Sequence, residues 1–595
     1  MIPIVWTVAF LPTLTLFVLG YEWPSPQYDA LETFLYEGRD LATSDISSIV
    51  GNCKLRSSPD SMVAAEWLRF AYHDAATHNI TDGTGGLDGS IFFELDRAEN
   101  AGAGMRDTVR DFEVSADKYI SRADIVALGA VWGVAACAGP PVPFRGGRRA
   151  ALGPGPLGVP EPNQDLATHT EKFRLQGFSP SEMIALVACG HTIGSVRSSD
   201  FPNLAPRNNS DSSGIGLSFF DSTRNYDSAI ATEYIGGTTK NPLITTSDLT
   251  FASDLRIFSS DGNATMNRLQ SAAEFAQTCS AMIAKMINTV PSDVTLTDEI
   301  VLLPVKVASA YITVVKDRLI FSTFLRLSHA DDVPDPTNRT VNLLWCDKRG
   351  ENKDCSGKIN VATNPVVGTP PTSPLAKAKK TKFLGYDFAV PILANQSVSK
   401  FWFEVNEGNG SAPIVHDNGG DGYIFPQDEV IYVPWLSTRA FKADGAGLVS
   451  NGFTIVAGIR SELKPTKAML HAYDGTGRDQ PPPYNATIDL VSNSSIALVD
   501  GYSAYSAIAN NGARFLLNVD LEVVVDGISY KFDYGQTTFI DKSQQLDKFL
   551  STVTSTTATS PIPGTTGKSS SFSPRLPSPV GAIFIVLVTV ISVLC

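Results

Sequence analysis

Apolar residues recur at helical spacing through the first half of the chain and at strand spacing through the second. The stretches "SMVAAEWLRFAYHD", "ADIVALGAVWGVAAC", "SPSEMIALVACGH" and "MNRLQSAAEFAQTCSAMIAKMIN" carry long apolar stripes that predict helices. In the third, Ser179 is a candidate N-cap, with Pro180 at the first helical position and Glu182 three residues after the cap. Past Pro291 the texture changes. "EIVLLPVKVASAYITVV", "FWFEV", "EVIYVPWL", "FTIVAGI" and "ATIDLVS" are runs of β-branched and aromatic residues broken by Gly, Pro, Asn and Asp. "LEVVVDGISYKF" predicts a hairpin turning at Asp526-Gly527. The pattern predicts a mainly α domain over residues 21–290 and an all-β, sandwich-like region over 291–545, in one module or two. No repeat of fixed period is present.

The ends depart from both patterns. Residues 1–20 are apolar and read as a secretory signal cut after Gly20, with Val18 at −3, although no basic residues precede the apolar run. Residues 546–580 are rich in Ser, Thr and Pro and read as a disordered, O-glycosylated stalk. Residues 581–595 are apolar and too short for an ordinary span of about 20 residues. Ser569, Ser570 and Ser571 followed by a proline-bearing spacer give the order of a glycolipid (GPI) anchor signal; the alternative is a short membrane anchor. Either places the folded part outside the cell, at its surface, with the membrane met only through the anchor.

Charge and cysteine usage agree with that placement. The formal charge of −14 leaves no basic footprint for nucleic acid. Without Cys595, six cysteines remain, an even set that suits disulfides in an oxidising compartment and allows 15 connectivities. Cys346 and Cys355, in "CDKRGENKDC", are placed to close a local loop. Sequons at Asn79, Asn208, Asn263, Asn338, Asn395, Asn409, Asn485 and Asn493 fit secretion.

Two of the histidines sit in distinctive contexts, "RFAYHDA" and "ACGHTIG". Arg69 and His73 are four apart, so on a helix they share a face. With "RAENAG", "ADIVALGAV", "GRRAAL", "VPEP", "FDST" and "SDLRIFSS" in this order, residues 30–290 resemble the plant-peroxidase superfamily of haem peroxidases, and the spacing resembles most the secreted fungal (class II) branch. The β region carries no comparably specific resemblance. The resemblance implies haem b bound by His191 as proximal iron ligand, with Asp254 accepting that ring's other proton and raising its basicity. It implies His73 as distal base, Arg69 as its charge-stabilising partner, and Asn100 as the residue fixing the tautomer of His73. It implies two calcium ions: one at Asp74, Gly86, Asp88 and Ser90, the other at Thr192, Asp221, Thr223 and Asp227. The segment "DSTRNYD", which ends at Asp227, is one residue shorter than the usual class II segment. Asp74 follows His73 and Thr192 follows His191, so each ion would brace a histidine. Cys53–Cys137 resembles a class II disulfide; Cys189 pairs with Cys279 or stays a buried thiol.

The departures narrow the donor. Where manganese-oxidising relatives have three carboxylates, this chain has Met62, Glu66 and Arg197, a set that cannot form that site; Arg197 is instead a candidate for the propionate side of the haem. The exposed tryptophan of ligninolytic relatives is replaced by Leu186, and Phe219 or Phe220 is the aromatic beside His191. Trp67 and Trp132 lie on apolar stripes and read as core. The resemblance therefore implies an enzyme that reduces hydrogen peroxide and oxidises small phenols or aromatic amines one electron at a time. The alternative keeps the peroxidase fold as a scaffold while the β region binds cell-wall polysaccharide or a surface partner. Reversible oxygen carriage is disfavoured by the polar pair Arg69 and His73.

Overall fold

The structure is a computed structural model that describes residues 21–537, apart from 40–44, 57–60, 114, 206–215, 354, 356, 358, 445–446, 477–481, 513 and 515. The expected signal sequence, stalk and anchor, and the sequon at Asn208, lie outside the described residues. Among the described residues no helix is long and apolar enough to cross a membrane.

The first domain is helical. Its centre is the pair Val63–Ala75 and Arg122–Ala136, packed through Trp67, Phe70 and Trp132, all fully buried. Both tryptophans are core residues whose N–H groups are satisfied: Trp67 donates to Asp111 Oδ2 at 2.7 Å and Trp132 to Leu35 O at 3.1 Å. The helix Pro180–His191 begins with the expected capping box, in which Ser179 and Glu182 each satisfy the other's backbone N–H. A second box, Ser121 with Asp124, starts Arg122–Ala136. Asp124 also pairs with Arg148 at 3.1 Å, and Arg148 Nη2 donates to Ile287 O at 2.6 Å. That ties the start of one core helix to the end of Ala272–Ile287. The stripe "MNRLQSAAEFAQTCSAMIAKMIN", read above as one run, is two helices, Ala264–Leu269 and Ala272–Ile287, because the chain leaves helical geometry at Ser271 (φ −71°, ψ 120°).

The second half is β apart from the short helix Pro374–Ala378, with four antiparallel sheets among the described residues around two main apolar cores. The first core lies between the sheet of Val305–Val315, Arg318–Ala330, Val366–Gly368 and Thr381–Ile392 and the sheet built on Thr340–Cys346 and Lys400–Asn406. In Lys400–Asn406 burial alternates, Phe401, Phe403 and Val405 pointing inward, as a half-buried strand requires. The second core lies between the sheet carrying Gly447–Arg460 and Tyr502–Gly512 and the sheet of Lys467–Asp474, Tyr484–Asp489, Asn518–Val525 and Ile528–Gln536. The region is thus two sandwiches. The predicted hairpin turns at Asp526 (φ 50°) and Gly527 (φ 81°), the two left-handed residues of a type I′ turn.

Helical and β parts are joined through buried charge. Arg326 and Lys306, on the first two strands, reach Glu32 of the helix Pro26–Glu37: Arg326 Nη2 to Glu32 Oε1 at 2.5 Å, Lys306 Nζ to Glu32 Oε2 at 2.7 Å. Arg326 also meets Glu37 at 3.0 Å, and Lys306 donates to Thr33 Oγ1 and Asp29 O, each at 2.7 Å. None of the Glu32, Lys306 and Arg326 side chains is exposed. Trp23, before that helix, packs in the first β core against Phe401 and Tyr423. Residues 297–303 run back along the helical domain, Thr297 N–H to Gly146 O at 3.0 Å and Ile300 N–H to Phe144 O at 2.9 Å.

Candidate active site

Two helices bring the two distinctive histidines to one cavity of about 330 Å³, which both line together with Arg69, Arg197, Asp254 and Phe220. His73 lies on Val63–Ala75 and is 8 % exposed; one turn earlier Arg69 lines the same wall. His73 Nδ1 meets Asn100 Oδ1 at 2.8 Å, and Asn100 Nδ2 donates to Glu94 O at 3.1 Å. An amide whose nitrogen is already donating presents its oxygen as acceptor, so His73 carries its proton on Nδ1 and offers Nε2 as a base. Burial, and then the charge of Arg69, hold the imidazolium form of His73 down to a pKa of about 3, against the opposing pull of Asn100.

His191 is the last residue of Pro180–His191. Its Nδ1 donates to Asp254 Oδ2 at 2.8 Å, and Phe220 stacks on its ring at 4.5 Å between centroids and 10° between planes. Asp254 sits in the first turn of Ser253–Phe258, where a carboxylate ordinarily caps; here it is 1 % exposed and faces the histidine. Its Oδ2 also accepts from Asn241 Nδ2 at 2.7 Å. Asn241 was not foreseen: its Oδ1 caps Pro242–Thr245 through Leu243 N–H, which the sequence "NP" suggests, but its second bond depends on a contact across the fold. With Nδ1 engaged, His191 leaves Nε2 to the cavity.

Of the remaining expected residues, Phe220 and Arg197 reach the cavity and Phe219 does not. Phe219 ends the strand Leu217–Phe219 and faces Arg224 at 5.5 Å, since successive strand residues point to opposite sides. Arg197 is ion-paired with Glu66 at 2.7 Å, and Glu66 is shared with Arg56 at 2.6 Å.

The oxygen-rich loops flank the two histidines. Asp74 is fully buried and accepts from Gly89 N–H at 2.7 Å and Ile91 N–H at 3.0 Å, with Ser90 Oγ at 3.5 Å. Asp88 accepts from Ser90 N–H at 2.9 Å, and Gly86 O accepts from Asp88 N–H at 2.8 Å. Burial and then the charge of Asp88 push the Asp74 carboxyl well up, the electrostatic position of two carboxylates brought together. On the other side Thr192 Oγ1 donates to Asp227 O at 2.6 Å and lies 3.5 Å from Asp221 Oδ2, and Asp221 Oδ1 accepts from Thr223 N–H at 3.0 Å. Thr192, Asp221, Thr223 and Asp227 are therefore gathered together, Asp227 included. Among the described residues no group of three or more His, Cys, Asp or Glu side chains is arranged to hold a metal, so hydroxyl, carbonyl and water oxygens would have to complete either shell.

All three disulfides are formed: Cys53–Cys137, Cys189–Cys279 and Cys346–Cys355. The second ties the His191 helix to Ala272–Ile287.

Comparison with known proteins points the same way. Residues 46–260 match the family described as peroxidase. The chain is 32% identical over 399 residues to a WSC domain-containing protein of Arthroderma benhamiae, covering 66% of this chain and 54% of that one. It is 35% identical over 131 residues to L-ascorbate peroxidase 5, peroxisomal, of Arabidopsis thaliana (21% of this chain, 46% of that one). It is 29% identical over 178 residues to the lignin-forming anionic peroxidase of Nicotiana tabacum (27% and 52%). The chain spans about half the length of the curated relatives it matches.

Proposed function

Because residues 46–260 make a peroxidase-family domain, we propose that the chain is an extracellular haem peroxidase that reduces hydrogen peroxide and oxidises small phenols or aromatic amines by one-electron steps. The observation that carries this is the paired tethering of the histidines: His73 by Asn100 and His191 by Asp254, each through Nδ1, at one cavity. His191 Nε2 is the nitrogen that would hold haem iron, with Phe220 against its ring and Arg197 on the propionate side. Haem, when bound, supplies the redox chemistry. His73 accepts a proton from the incoming peroxide at Nε2 and returns it to the leaving oxygen. Arg69 stabilises the charge that develops as the O–O bond breaks. Asp254 keeps His191 in one tautomer and fixes the orientation of its ring.

The pH dependence follows from His73. Its base form persists down to a pKa of about 3, so the acid limb of the peroxide reaction is expected near pH 3. Since Arg69 is one of the two causes, Arg69→Leu should move that limb upward while also slowing the reaction. Stopped-flow rates from pH 2.5 to 7 check this. For stability the sign is the same: the unfolded imidazole takes up a proton near 6.5 and the folded one near 3, so this residue's contribution falls as pH drops through that window.

Calcium fits the donor sets at Asp74, Gly86 O, Asp88 and Ser90 and at Thr192, Asp221, Thr223 and Asp227, as hard oxygen ligands. Chelation with EGTA is expected to lower the thermal midpoint by several degrees and to be reversed by added Ca²⁺ but not by K⁺. An unchanged midpoint after exhaustive chelation removes calcium from this proposal.

A surface-binding role for the β sandwiches is a second reading. It is favoured by the 399-residue likeness to the WSC domain-containing protein, which is longer than the peroxidase match and so reaches beyond it. Retention of the intact chain on insoluble glucan or chitin would support it, and no retention on either would count against wall binding. Secretion and a glycolipid anchor signalled by residues 581–595 complete the proposal; release of the protein from cells by a phosphatidylinositol-specific phospholipase tests them.

A further inference from the structure

We propose that the outer face of the first β sheet carries a binding groove for a cationic sugar chain of the glucosamine type, between the helical domain and the second sandwich. This gives a ligand to the surface-binding reading above and rests on it. Along Arg318–Ala330, Leu319, Phe321, Leu325 and Leu327 point into the first core, so Ile320, Ser322, Phe324 and Arg326 face outward. Both ends of that outward face are covered. At one end Arg326 and Lys306 meet Glu32, and Phe383 packs in the helical core. At the other, Thr313 Oγ1 donates to Tyr432 O at 2.9 Å, and Ile320 and Ala389 pack with Trp435. The strip between is open: Ser309, Tyr311, Phe324 and Asp387 are each half-buried. Ser309, Phe324, Asp387 and Val366 stand side by side across four strands, a floor of roughly 14 Å at about 4.8 Å per strand.

Two properties of the strip specify the ligand. The first is charge. Among the described residues the Asp387 carboxylate has no hydrogen-bond or ion-pair partner, and burial alone pushes its pKa up to about 6. It is therefore ionised at pH 7 and uncompensated, since the cations on the same face, Arg326 and Lys306, are held by Glu32. An unpaired carboxylate away from water is costly, and a bound ammonium relieves that cost. The second property is the aromatic floor. Phe324 lies directly opposite Asp387, and its ring covers Gly385, where a Cβ would collide with it. The glycine thus lets the ring lie along the sheet. Burial first, and Asp387 after it, push the Tyr311 phenol up against the pull of Ser322, so ring and carboxylate share the strip. Trp435, half-buried, stands at the wall beside Ala389. A simple amine would meet the carboxylate and one ring face but leave the other rings bare. A chain of amino sugars supplies an ammonium for Asp387 and apolar ring faces for the aromatic side chains.

Intact wild type, Asp387→Asn and Phe324→Ala are titrated by calorimetry at pH 7 and low ionic strength. The ligands are glucosamine hexamer and N-acetylglucosamine hexamer, which has the same rings without the charge. Wild type is expected to bind the glucosamine hexamer about tenfold more tightly than the acetylated one, the scale of one hydrogen bond to a charged group. Asp387→Asn should lose about that factor, and Phe324→Ala about fivefold as a ring contact disappears. Without ligand, Asp387→Asn should melt no lower than wild type, because an uncompensated carboxylate is removed. A lower midpoint or failure to fold would show that Asp387 serves the structure, and overturns the proposal. No binding of either hexamer by wild type, equal affinity in wild type and Asp387→Asn, or benzylammonium binding as tightly as the glucosamine hexamer also overturns it. Retention of all three proteins alike on insoluble chitin would leave the surface-binding reading standing and remove only this groove. No retention and no hexamer binding would remove both.

Discussion

Replacing His73 by leucine is expected to slow peroxide-dependent oxidation of a phenol by roughly 10²- to 10⁴-fold, the share that a positioned general base supplies. Haem uptake and the Soret band should be preserved, because His191, Asp254 and Phe220 are untouched. The size of the effect follows from geometry. His73 is the imidazole whose Nδ1 is held by Asn100 and whose Nε2 is kept unprotonated by burial and by Arg69. Leucine fills similar space with nothing to take the proton. Asn100→Leu should cost less, since the base survives but its tautomer is no longer fixed. Steady-state kinetics with guaiacol, with haem content measured on each sample, separate loss of catalysis from loss of cofactor. Full activity in His73→Leu would sink the proposed role.

The second large effect is on folding. Glu32→Gln is expected to destabilise the protein by about 3–5 kcal/mol, because it leaves Lys306 and Arg326 buried with too little opposing charge. That is a large part of the 5–15 kcal/mol available to a typical domain. Burial alone would raise the Glu32 carboxyl, but Arg326 and Lys306 outweigh it and hold it below its ordinary value. The contribution is therefore complete above the unfolded value of about 4.3 and is lost as pH falls through the lower folded value. Replacing Glu32, Lys306 and Arg326 together by leucine and methionine should cost far less than the single change, since a buried ion cluster and a well-packed apolar one are of similar stability. Urea unfolding followed by circular dichroism checks both. Residues 291–545 alone lose Glu32, Glu37 and Trp23 and are expected to show no cooperative unfolding transition. The β region is thus joined to the helical domain through its core, and binding tests belong on the intact chain.

How much could be read from the chain depended on whether the signal was local. Ser179 with Glu182, and Asp526-Gly527, were legible because caps and I′ turns need particular residues at fixed spacing. Arg318–Ala330 was not singled out as a strand: it is entered by a turn at Lys316 (φ 56°), with no glycine to mark it. His73, Arg69, Asn100, His191 and Asp254 were found through ordered motifs, and the structure brings all five to one place. Asn241 escaped because it has a local reason to exist, a helix cap, that hides its contact across the fold. The choice between Phe219 and Phe220 turned on which way one strand residue faces, which register alone decides. The Glu32–Lys306–Arg326 cluster joins residues some 270 positions apart, and nothing in either segment alone announces the partner.

The most direct test is a hemin titration of the purified protein alongside His191→Ala, followed in the Soret region and by electron paramagnetic resonance. One haem per chain, bound through a single histidine in wild type and lost or weakened in His191→Ala, is the predicted result. A protein that stays colourless, or a His191→Ala variant with the wild-type spectrum, would contradict it.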